Sequence, residues 1–455
     1  MADFSSFLKE GTKGHLIGIG GVSMAPLAEV LLGMGLKVRG SDSTESEKTA
    51  HLRNIGIDVR IGHSAMNLSP DAQFVIRTAA ANDDNPELIE ARARGIKVFE
   101  RADAWGAIMR DYKNALCISG THGKTTTTSM CTHIMIAAER DPTAMIGGTL
   151  PLLKAAHRVG SGDTIILESC EYHNSFLSFF PTVAVILDIE EDHLDFFKDL
   201  DDVKNSFRRF AELVPPNGII VANYDDKNTM DSIEGIDREV MTFGLSDRAD
   251  VYARRIKMVG VNTEFDIYYQ RKKFTTVTLH VPGMHNVKNA LAAAAATICL
   301  GAGPNAIKYG LAGYGGAGRR FEFKGKFNGA DVYDDYAHHP GELKVLLDAV
   351  EPLGYKRTIL VFQPHTYSRT TAFFDYFISQ LRRPEVLLLA EIYAARETNK
   401  TGISSADLAA KLDNSKFYKT FEDIENALRK VAGPGDIILT VGAGDVYKIG
   451  ERIVE

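Results

Sequence analysis

The segment "CISGTHGKTTTTSM", residues 117–130, constrains the fold of this 455-residue chain more than any other stretch. An apolar run precedes it, Gly120 and Gly123 allow the backbone to bend tightly, and Lys124 and Thr125 open a stretch with helical character. A strand, a glycine loop and a helix in this order are typical of phosphate-binding loops in parallel α/β sheets. The usual loop has six residues between its first glycine and its Ser or Thr, whereas only four separate Gly120 from Thr125. The sequence therefore predicts a shortened loop that binds a nucleoside triphosphate.

Two further blocks of the chain show the same alternation of apolar strands, glycine turns and helices. The first contains "GHLIGIGGVSMAPLAEVLLGMGLKVRGSD", and the last contains "RTILVFQPHTYSRT" and "DIILTVGAGDVY". A chain of 455 residues is also longer than one hydrophobic core usually serves. We therefore predict an α/β protein with three domains. These are a Rossmann-like N-terminal domain, a central domain of the P-loop ATPase type and a C-terminal Rossmann-like α/β domain, over residues 1–111, 112–319 and 320–455.

Composition excludes several classes of protein. A content of 45% hydrophobic and 24% charged residues is typical of globular proteins, and a net charge of -7 disfavours binding to nucleic acids. The N-terminus lacks a secretory signal and no apolar run has membrane-spanning length, so we expect a cytoplasmic protein without stable membrane insertion. The four cysteines have no paired spacing, and therefore neither disulfides nor a zinc site is predicted.

The glycine turn "GIGGVSM" near the N-terminus predicts a site for a nucleotide diphosphate. Gly18 and Gly20 match the start of the dinucleotide fingerprint, but Ser23 stands where its third glycine belongs. Asp42 ends the next strand, where such folds bind a ribose. Turn geometry alone is an alternative explanation of the glycines. An NAD-dependent oxidoreductase with a regulatory phosphate loop is an alternative function, which Ser23 disfavours.

Two polar residues follow apolar strands in the middle block. Glu168 ends "TIILE", and His193 follows "VAVILDI". A carboxylate beside phosphates is a natural Mg²⁺ ligand, whereas an imidazole suits softer metals better. Either residue alone is also typical of an ordinary hydrogen-bonded strand end, but their joint position favours a metal site.

The third block carries "YDDYAHHP" and "QPHTYSR", which cluster histidines and Arg369 after strands. A guanidinium binds a carboxylate or phosphate through two parallel hydrogen bonds, so this pattern indicates an anion site. The alternative is a helix cap at Asp334 or Asp335 with solvated histidines.

The order of "GIGG.SM", "GTHGKTTT", "E..E..SF", "I..DHLD", "GMHN..NALAA", "GRRFE", "DDYAHHP" and "QPHTYSR" resembles the Mur ligases, which build peptidoglycan precursors. The resemblance covers essentially the whole chain and is closest to the members that use L-alanine. It implies an ATP- and Mg²⁺-dependent ligase that joins L-alanine to the lactyl carboxylate of UDP-N-acetylmuramate through an acyl phosphate. A related ligase that attaches a preformed tripeptide during murein recycling remains an alternative. We expect a monomer or a weak homodimer.

The resemblance also implies roles for individual residues. ATP would be bound by the loop and four later residues, namely Gly120, Thr121, His122, Gly123, Lys124, Thr125, Thr126, His285, Asn286, Asn289 and Arg319. Mg²⁺ would be held by Thr125, Glu168 and His193. The UDP-sugar would contact Gly18, Gly20, Gly21 and Asp42, and the amino acid would contact Tyr336, His338, His365 and Arg369. The catalytic residues would be Lys124, His338 and Arg369, and Arg320 would join the domains beside Arg319.

Three departures from the family pattern limit this transfer. "ESCEYHNSF" replaces the acidic "EADESD" version, Asp188 stands where asparagine is frequent, and Thr366 stands where arginine is frequent. The resemblance therefore gives no role to Glu171, Asp188 or Thr366.

Overall fold

The computed structural model of this chain describes residues 3–78, 80–194, 196–395 and 397–454. Over these ranges the strands form three sheets, with helices between most of the successive parallel strands. The predicted α/β class is therefore confirmed. Short 3-10 turns lie at Phe4–Phe7, Ala65–Asn67, Tyr172–Ser178 and Glu351–Leu353.

Strands and helices alternate through the N-terminal block. Its elements are β1 (Lys13–Ile17), α1 (Met24–Gly33), β2 (Lys37–Asp42), α2 (Glu47–Asn54), β3 (Asp58–Ile61), β4 (Phe74–Arg77), α3 (Pro86–Ala93), β5 (Lys97–Glu100) and α4 (Arg101–Met109). The sheet has the order β3-β2-β1-β4-β5 and is parallel throughout. Its central strand β1 is buried from Gly14 onwards, as a strand covered on both faces must be, and the one polar side chain in that stretch, His15, contacts the carboxylate of buried Glu87. The carboxyl ends of β1 and β2 therefore lie side by side.

The middle block contains the largest sheet. Its elements begin with β6 (Asn114–Ser119), α5 (Lys124–Ala137), β7 (Thr143–Leu150), β8 (Ala155–Arg158), β9 (Thr164–Glu168), β10 (Val183–Ile186), α6 (Leu200–Glu212) and β11 (Ile219–Asn223). They continue with α7 (Lys227–Ile233), β12 (Glu239–Gly244), β13 (Val251–Val259), β14 (Asn262–Tyr269), β15 (Lys272–Leu279), α8 (Met284–Cys299) and α9 (Pro304–Ala312). The order is β15-β14-β13-β12-β11-β10-β6-β9-β7-β8. Because β6 pairs in parallel with both β9 and β10, the phosphate loop leaves the sheet between their carboxyl ends.

The third block forms a mostly parallel sheet. Its elements are β16 (Glu322–Phe327), β17 (Ala330–Asp335), α10 (Pro340–Val350), β18 (Arg357–Phe362), α11 (Tyr367–Ala372), α12 (Phe374–Leu381), β19 (Val386–Leu389), α13 (Ser405–Ala409), β20 (Ser415–Phe417), α14 (Phe421–Val431), β21 (Asp436–Val441) and α15 (Tyr447–Ile453). The order is β16-β17-β21-β18-β19-β20, and β16 pairs antiparallel with β17. Alternate residues of β18 belong to two different hydrophobic clusters, which therefore cover the two faces of the sheet.

The first two blocks share a hydrophobic core. Leu16 and Trp105 belong to the same cluster as Cys117 and Phe207. Gly106 on α4 permits this close packing, since a Cβ there would lie 2.0 Å from the carbonyl oxygen of Ser178.

The chain divides into two compact units. One comprises Met1–Ala253, Ile267–Thr275 and Asn289–Leu311, and the other comprises Arg254–Asp266, Thr276–Lys288 and Ala312–Glu455. The domain limits predicted at residues 111 and 319 stay predictions. Among the described residues, none of the helices has the length and apolar character needed to cross a lipid bilayer.

Candidate active site

The loop between β6 and α5 has glycine at two positions where a side chain would not fit. Gly120 and Gly123 have φ angles of 146° and 78°, which residues with a Cβ rarely adopt. A Cβ on Gly123 would lie 2.5 Å from Oδ1 of Asn289, and one on Gly120 would lie 2.8 Å from Cβ of Leu187. Within the described part of the chain, no side chain caps the start of the 14-residue helix α5. The loop therefore presents a helix N-terminus that favours a phosphate group.

The ammonium group of Lys124 lies among oxygen atoms. It donates to the carbonyl oxygens of Gly120 and Thr121, and it lies 3.1 and 3.2 Å from the two carboxylate oxygens of Glu171. Burial opposes the positive charge, but the surrounding acidic groups, with Glu171 the strongest of them, together outweigh burial and raise the pKa of Lys124. The structure therefore holds a cation at the first residue of α5, where a phosphate would need one.

Thr125 and Glu168 lie together beside this cation. The Thr125 hydroxyl donates to Oε1 of Glu168 at 3.0 Å, and the amide of Gly147 donates to Oε2 at 2.7 Å. A hydroxyl oxygen and a carboxylate oxygen are donors that suit Mg²⁺. Two of the three predicted metal ligands are therefore neighbours, with a chemistry that fits the predicted ion.

The third predicted ligand, His193, contacts a different carboxylate. Its Nε2 lies 3.7 Å from Oε1 of Glu171, and its ring stacks on Tyr172 with the ring centroids 4.5 Å apart. Glu171 is itself 2% exposed. The structure thus places Glu171 between Lys124 and His193, which the sequence did not reveal.

Asp188, another residue without a predicted role, supports the loop itself. Its Oδ1 accepts from the amide of His122 at 2.8 Å, and its carbonyl oxygen accepts from the amide of Thr121 at 3.0 Å. Burial raises the pKa of Asp188 to about 6. Asp188 therefore fixes the path of two residues that precede Lys124.

The remaining predicted loop residue, Thr126, is buried in the first turn of α5.

The N-terminal glycine turn and Asp42 also meet, as predicted from their positions at neighbouring strand ends. The amide of Gly20 donates to Oδ2 of Asp42 at 2.9 Å, and the amide of Gly21 donates to the carbonyl oxygen of Gly18. Gly18 has a φ of 75°, and a Cβ there would lie 2.5 Å from Cγ2 of Thr78. Glycine is thus required at this turn for both its backbone angle and its close packing.

Four residues predicted on the amino-acid side converge in the third block. An Nη1 atom of Arg369 lies 3.2 Å from Nδ1 of His365. The ring centroids of His338 and His365 are 5.6 Å apart, and those of Tyr336 and His338 are 5.4 Å apart. They follow strands β17 and β18, so the parallel strands deliver them to one edge of the sheet.

The two imidazoles of this group differ in environment. Burial, together with the charges of His338 and Arg369, lowers the pKa of His365 to about 3, so this ring is neutral and accepts from Arg369. Nδ1 of His338 lies 3.0 Å from the carbonyl oxygen of Tyr336 and 3.3 Å from Oε2 of Glu342. Because both oxygens are acceptors, Nδ1 carries the proton, which makes Nε2 the basic nitrogen of a neutral His338.

Comparisons with known proteins account for this arrangement of three blocks. The Mur ligase family catalytic domain matches residues 13–113, the Mur ligase middle domain matches residues 118–297, and the Mur ligase glutamate ligase domain matches residues 319–444. The chain is 45% identical over 455 residues to UDP-N-acetylmuramate--L-alanine ligase of Clostridium novyi, with 99% of each chain covered. The chain belongs to the Mur ligase family.

Solved structures agree with this assignment. UDP-N-acetylmuramate-alanine ligase of Thermotoga maritima has a TM-score of 0.82 to this Mur ligase at 27% identity, over 97% of this chain and 98% of that one. A murein peptide ligase of Psychrobacter arcticus shares the fold with a TM-score of 0.71 at 22% identity, over 97% and 98% of the two chains.

Arg319 of this Mur ligase has an extensive set of contacts within the third block. Its Nε donates to Asp334 at 3.0 Å, and its terminal nitrogens donate to the carbonyl oxygens of Gly442 and Gly444. Its guanidinium also lies 4.5 Å from the ring centroid of Tyr447. These contacts show that Arg319 ties the start of the block to β17 and to the segment after β21. Its predicted contact with ATP stays a prediction.

Two further residues predicted to contact ATP, His285 and Asn286, lie at the start of α8. Burial, helped by the charge of Arg320, lowers the pKa of His285 to about 4, so its ring is neutral near neutral pH. The side-chain amide of Asn286 donates to the carbonyl oxygen of Pro282 at 2.7 Å. A third, Asn289, lies against the phosphate loop at Gly123. The nucleotide contacts of these three residues stay predictions.

Proposed function

We propose that this Mur ligase joins L-alanine to the lactyl carboxylate of UDP-N-acetylmuramate, with ATP converted to ADP and phosphate. The observation that carries this proposal is the 45% identity to an L-alanine ligase over the full length of both chains. The structural likeness to an alanine ligase, at a TM-score of 0.82, supports it further. Membership of a ligase family also removes the oxidoreductase alternative. We place the reaction in the cytoplasm because it consumes ATP.

In the first step the substrate carboxylate would attack the γ-phosphate of ATP. A carboxylate is a poor electrophile, and phosphorylation gives it a leaving group while removing its charge. The amides at the start of α5 would bind the phosphates, and the ammonium of Lys124 would stabilise the charge that develops on the transferred group. Thr125, Glu168 and His193 would hold Mg²⁺, which when bound neutralises charge on the phosphate oxygens.

Glu171 would compete with the triphosphate for the ammonium group of Lys124. Its carboxylate neutralises the ammonium when phosphate is absent, and it is buried. A triphosphate in the loop would compete for the same ammonium, so Lys124 would move between a carboxylate and a phosphate rather than between water and a phosphate. We expect this exchange to lower the cost of desolvating the lysine.

In the second step the neutral amine of L-alanine would attack the acyl phosphate, and phosphate would leave from a tetrahedral intermediate. Nε2 of His338 is the basic nitrogen of its ring and would accept a proton from the amine. Arg369 would bind the alanine carboxylate through its two parallel donors, while His365 fixes one face of the guanidinium. Tyr336 would border the same site.

The UDP-sugar would bind at the glycine turn of the N-terminal block. The start of α1 and the turn formed by Gly18, Gly20 and Gly21 would lie beside its diphosphate, and Asp42 holds the turn in place. Ser23 begins the helix where a dinucleotide fold needs a third glycine, which favours a UDP-sugar over NAD at this turn.

A phosphate-release assay tests the proposed function. The full chain is incubated with ATP, Mg²⁺ and UDP-N-acetylmuramate, and with L-alanine, the murein tripeptide or no amine. We expect sustained phosphate release in the reaction that contains L-alanine, and not in the reactions with the tripeptide or without an amine. Turnover with the tripeptide and not with L-alanine would instead identify a recycling ligase, and equal release without any amine would contradict the ligase proposal.

A further inference from the structure

Three side chains with different ligand atoms converge beside the phosphate loop. The thiol of Cys170, the carboxylate of Glu171 and the imidazole of His193 each offer one ligand atom, and these atoms lie within 4.8 Å of one another. Glu171 is buried, and the other two side chains are half-buried. The cysteine spacing predicted no zinc site, since these ligands come from two separate segments rather than from paired cysteines.

The imidazole is oriented towards this group by its neighbours. The ring of His193 stacks on Tyr172 at an interplanar angle of 25°, and its Nε2 lies 3.7 Å from Oε1 of Glu171. His193 has a φ of 54°, a backbone conformation that costs free energy for a residue with a Cβ. Both the strained backbone and the stacked ring hold Nε2 towards the carboxylate.

The types of ligand atom favour a soft or borderline divalent cation in this position. A thiolate, a carboxylate and an imidazole form a ligand set that suits soft or borderline metals. Oε1 of Glu171 lies 3.7 Å from Nε2 of His193 and 3.2 Å from Nζ of Lys124, and Oε2 lies 3.1 Å from the same Nζ atom. An ion bound to Oε1 would replace the contact of Lys124 with that oxygen and leave its contact with Oε2.

We propose that Cys170, Glu171 and His193 form a binding site for a thiophilic divalent cation such as Zn²⁺, and that this ion inhibits the ligase. On binding, the Cys170 thiol releases its proton to solvent and a sulfur–metal bond forms, with water in the fourth position. A tetrahedral zinc site needs neighbouring ligand atoms about 3.5 Å apart, so rotations of the side chains that bring the atoms closer by about 1 Å complete it.

Inhibition follows from the residues that the ion would occupy. His193 is also a predicted Mg²⁺ ligand. Glu171 is the carboxylate from which the ammonium of Lys124 would move to the triphosphate. An ion bound through sulfur holds both residues away from these tasks, and Mg²⁺ does not displace it because Mg²⁺ prefers oxygen ligands. This inhibitory part rests on the proposed function, whereas binding of the ion does not.

Titration of the full chain with Co²⁺ alone, without nucleotide, tests the site. We expect a sulfur-to-cobalt charge-transfer absorption that saturates at one ion per chain and is absent from Cys170→Ser and Cys170→Ala. Cys299→Ser is the matched control, since Cys299 is also half-buried but lies near Met241, and it should keep the absorption. Thermal unfolding shows whether the variants are folded. Absence of the absorption in the unmodified chain, or its survival in a folded Cys170 variant, would overturn the site.

Inhibition is measured separately, as phosphate release at saturating Mg²⁺ and ATP with increasing Zn²⁺. We expect Cys170→Ser to keep the kcat of the unmodified chain and to need at least about tenfold more Zn²⁺ for half inhibition, because the loss of even an outer-shell partner of a metal ligand costs about 10- to 100-fold in metal affinity. Equal sensitivity of the two proteins would contradict the inhibitory part while leaving the cobalt result standing. Absence of ligase turnover with any amine would contradict the proposed function and leave the cobalt titration intact.

Discussion

The N-terminal glycine turn and the phosphate loop are built alike but differ in charge. Each follows a parallel strand, and each is fixed by an aspartate at the end of the neighbouring strand. Asp42 accepts from Gly20 at 2.9 Å, and Asp188 accepts from His122 at 2.8 Å. The difference is the first residue of the helix that follows.

That residue is Met24 in α1 and Lys124 in α5. Both helix starts favour an anion through the helix dipole, but only the second adds a full positive charge. The comparison indicates that the strand and turn provide a site for phosphates, while one side chain decides whether a phosphoryl group is only bound or also transferred. Each of the following substitutions tests one part of this comparison.

The largest effect is expected for Lys124→Ala. The variant should lose about 100- to 1000-fold in kcat or more, because the charge that develops on the transferred phosphoryl group loses its cation. Binding of the UDP-sugar, measured by calorimetry, should be nearly unchanged because the other turn provides that site. Lys227→Ala, at a lysine that is 84% exposed, is the control and should keep full activity. Equal loss of both ligands by Lys124→Ala would contradict the division between the turns.

Arg369→Lys tests whether the amino acid binds away from both turns. A lysine keeps the charge but loses the two parallel donors, so the KM for L-alanine should rise far more than the KM for ATP. Misplacement of the amine by about 1 Å would also lower kcat, by up to about 100-fold. Arg382→Lys, at an exposed arginine after α12, is the control. A raised KM for ATP with an unchanged KM for L-alanine would move Arg369 to the phosphate side.

Asp188→Asn separates hydrogen bonding from charge in the phosphate loop. The asparagine keeps an acceptor for His122 but cannot ionise. The folded-state pKa of about 6 exceeds the usual 3.8, so the unmodified chain loses stability as pH rises from about 4 to about 6. Relative to the variant, its free energy of unfolding should fall by up to about 3 kcal/mol over this range. Denaturant unfolding of both proteins at several pH values measures this, with the exposed Asp237→Asn as control. If the difference in free energy of unfolding between the two proteins does not vary with pH, burial does not raise the pKa of Asp188 in the folded protein.

Glu168→Gln tests the metal side of the loop. The substitution keeps the shape and the contacts with Thr125 and Gly147 but removes the negative charge, so about tenfold more Mg²⁺ should be needed for half-maximal activity. Activity is measured as a function of Mg²⁺ at fixed ATP. Glu212→Gln, a half-exposed residue at the end of α6, should titrate like the unmodified chain. An unchanged Mg²⁺ titration of Glu168→Gln would remove Glu168 from the metal site.

The smallest effect is expected for Asp42→Asn in the N-terminal turn. An asparagine can still accept from the amide of Gly20, so only the added strength of a charged hydrogen bond is lost, about 1 kcal/mol or roughly fivefold in Kd for the UDP-sugar. Calorimetry with UDP-N-acetylmuramate measures it, and kcat should be unchanged. A loss above 100-fold would show that Asp42 contacts the substrate through its charge rather than supporting the turn.

Much of the site was predictable from sequence because its signals are local. Gly120, Gly123 and Lys124 are separated by a few residues, and the strand before them and the helix after them follow from hydrophobic periodicity. Likewise, Asp42 ends one strand and Arg369 follows another, and in each parallel sheet the carboxyl ends of the strands meet at one edge.

The contacts that determine the charge and the backbone path of the site could be identified only from the tertiary structure. The partnership of Lys124 with Glu171 and the support that Asp188 gives to the loop arise because β6 pairs with β9 on one side and β10 on the other. Nothing in the spacing of these residues encodes that order of strands. The same holds for Arg319, whose partners Gly442 and Gly444 lie more than 120 residues away.

The sequence by itself determined the α/β class, the three blocks, the phosphate loop and the family. Only the tertiary structure decided that the first two blocks share one core, that Glu171 neutralises Lys124, and that Cys170 and His193 meet beside it. Backbone preference and hydrophobic periodicity act over a few residues and can be read directly along the chain. Electrostatic and packing partners are chosen by strand order and burial, which bring together residues that are distant in sequence.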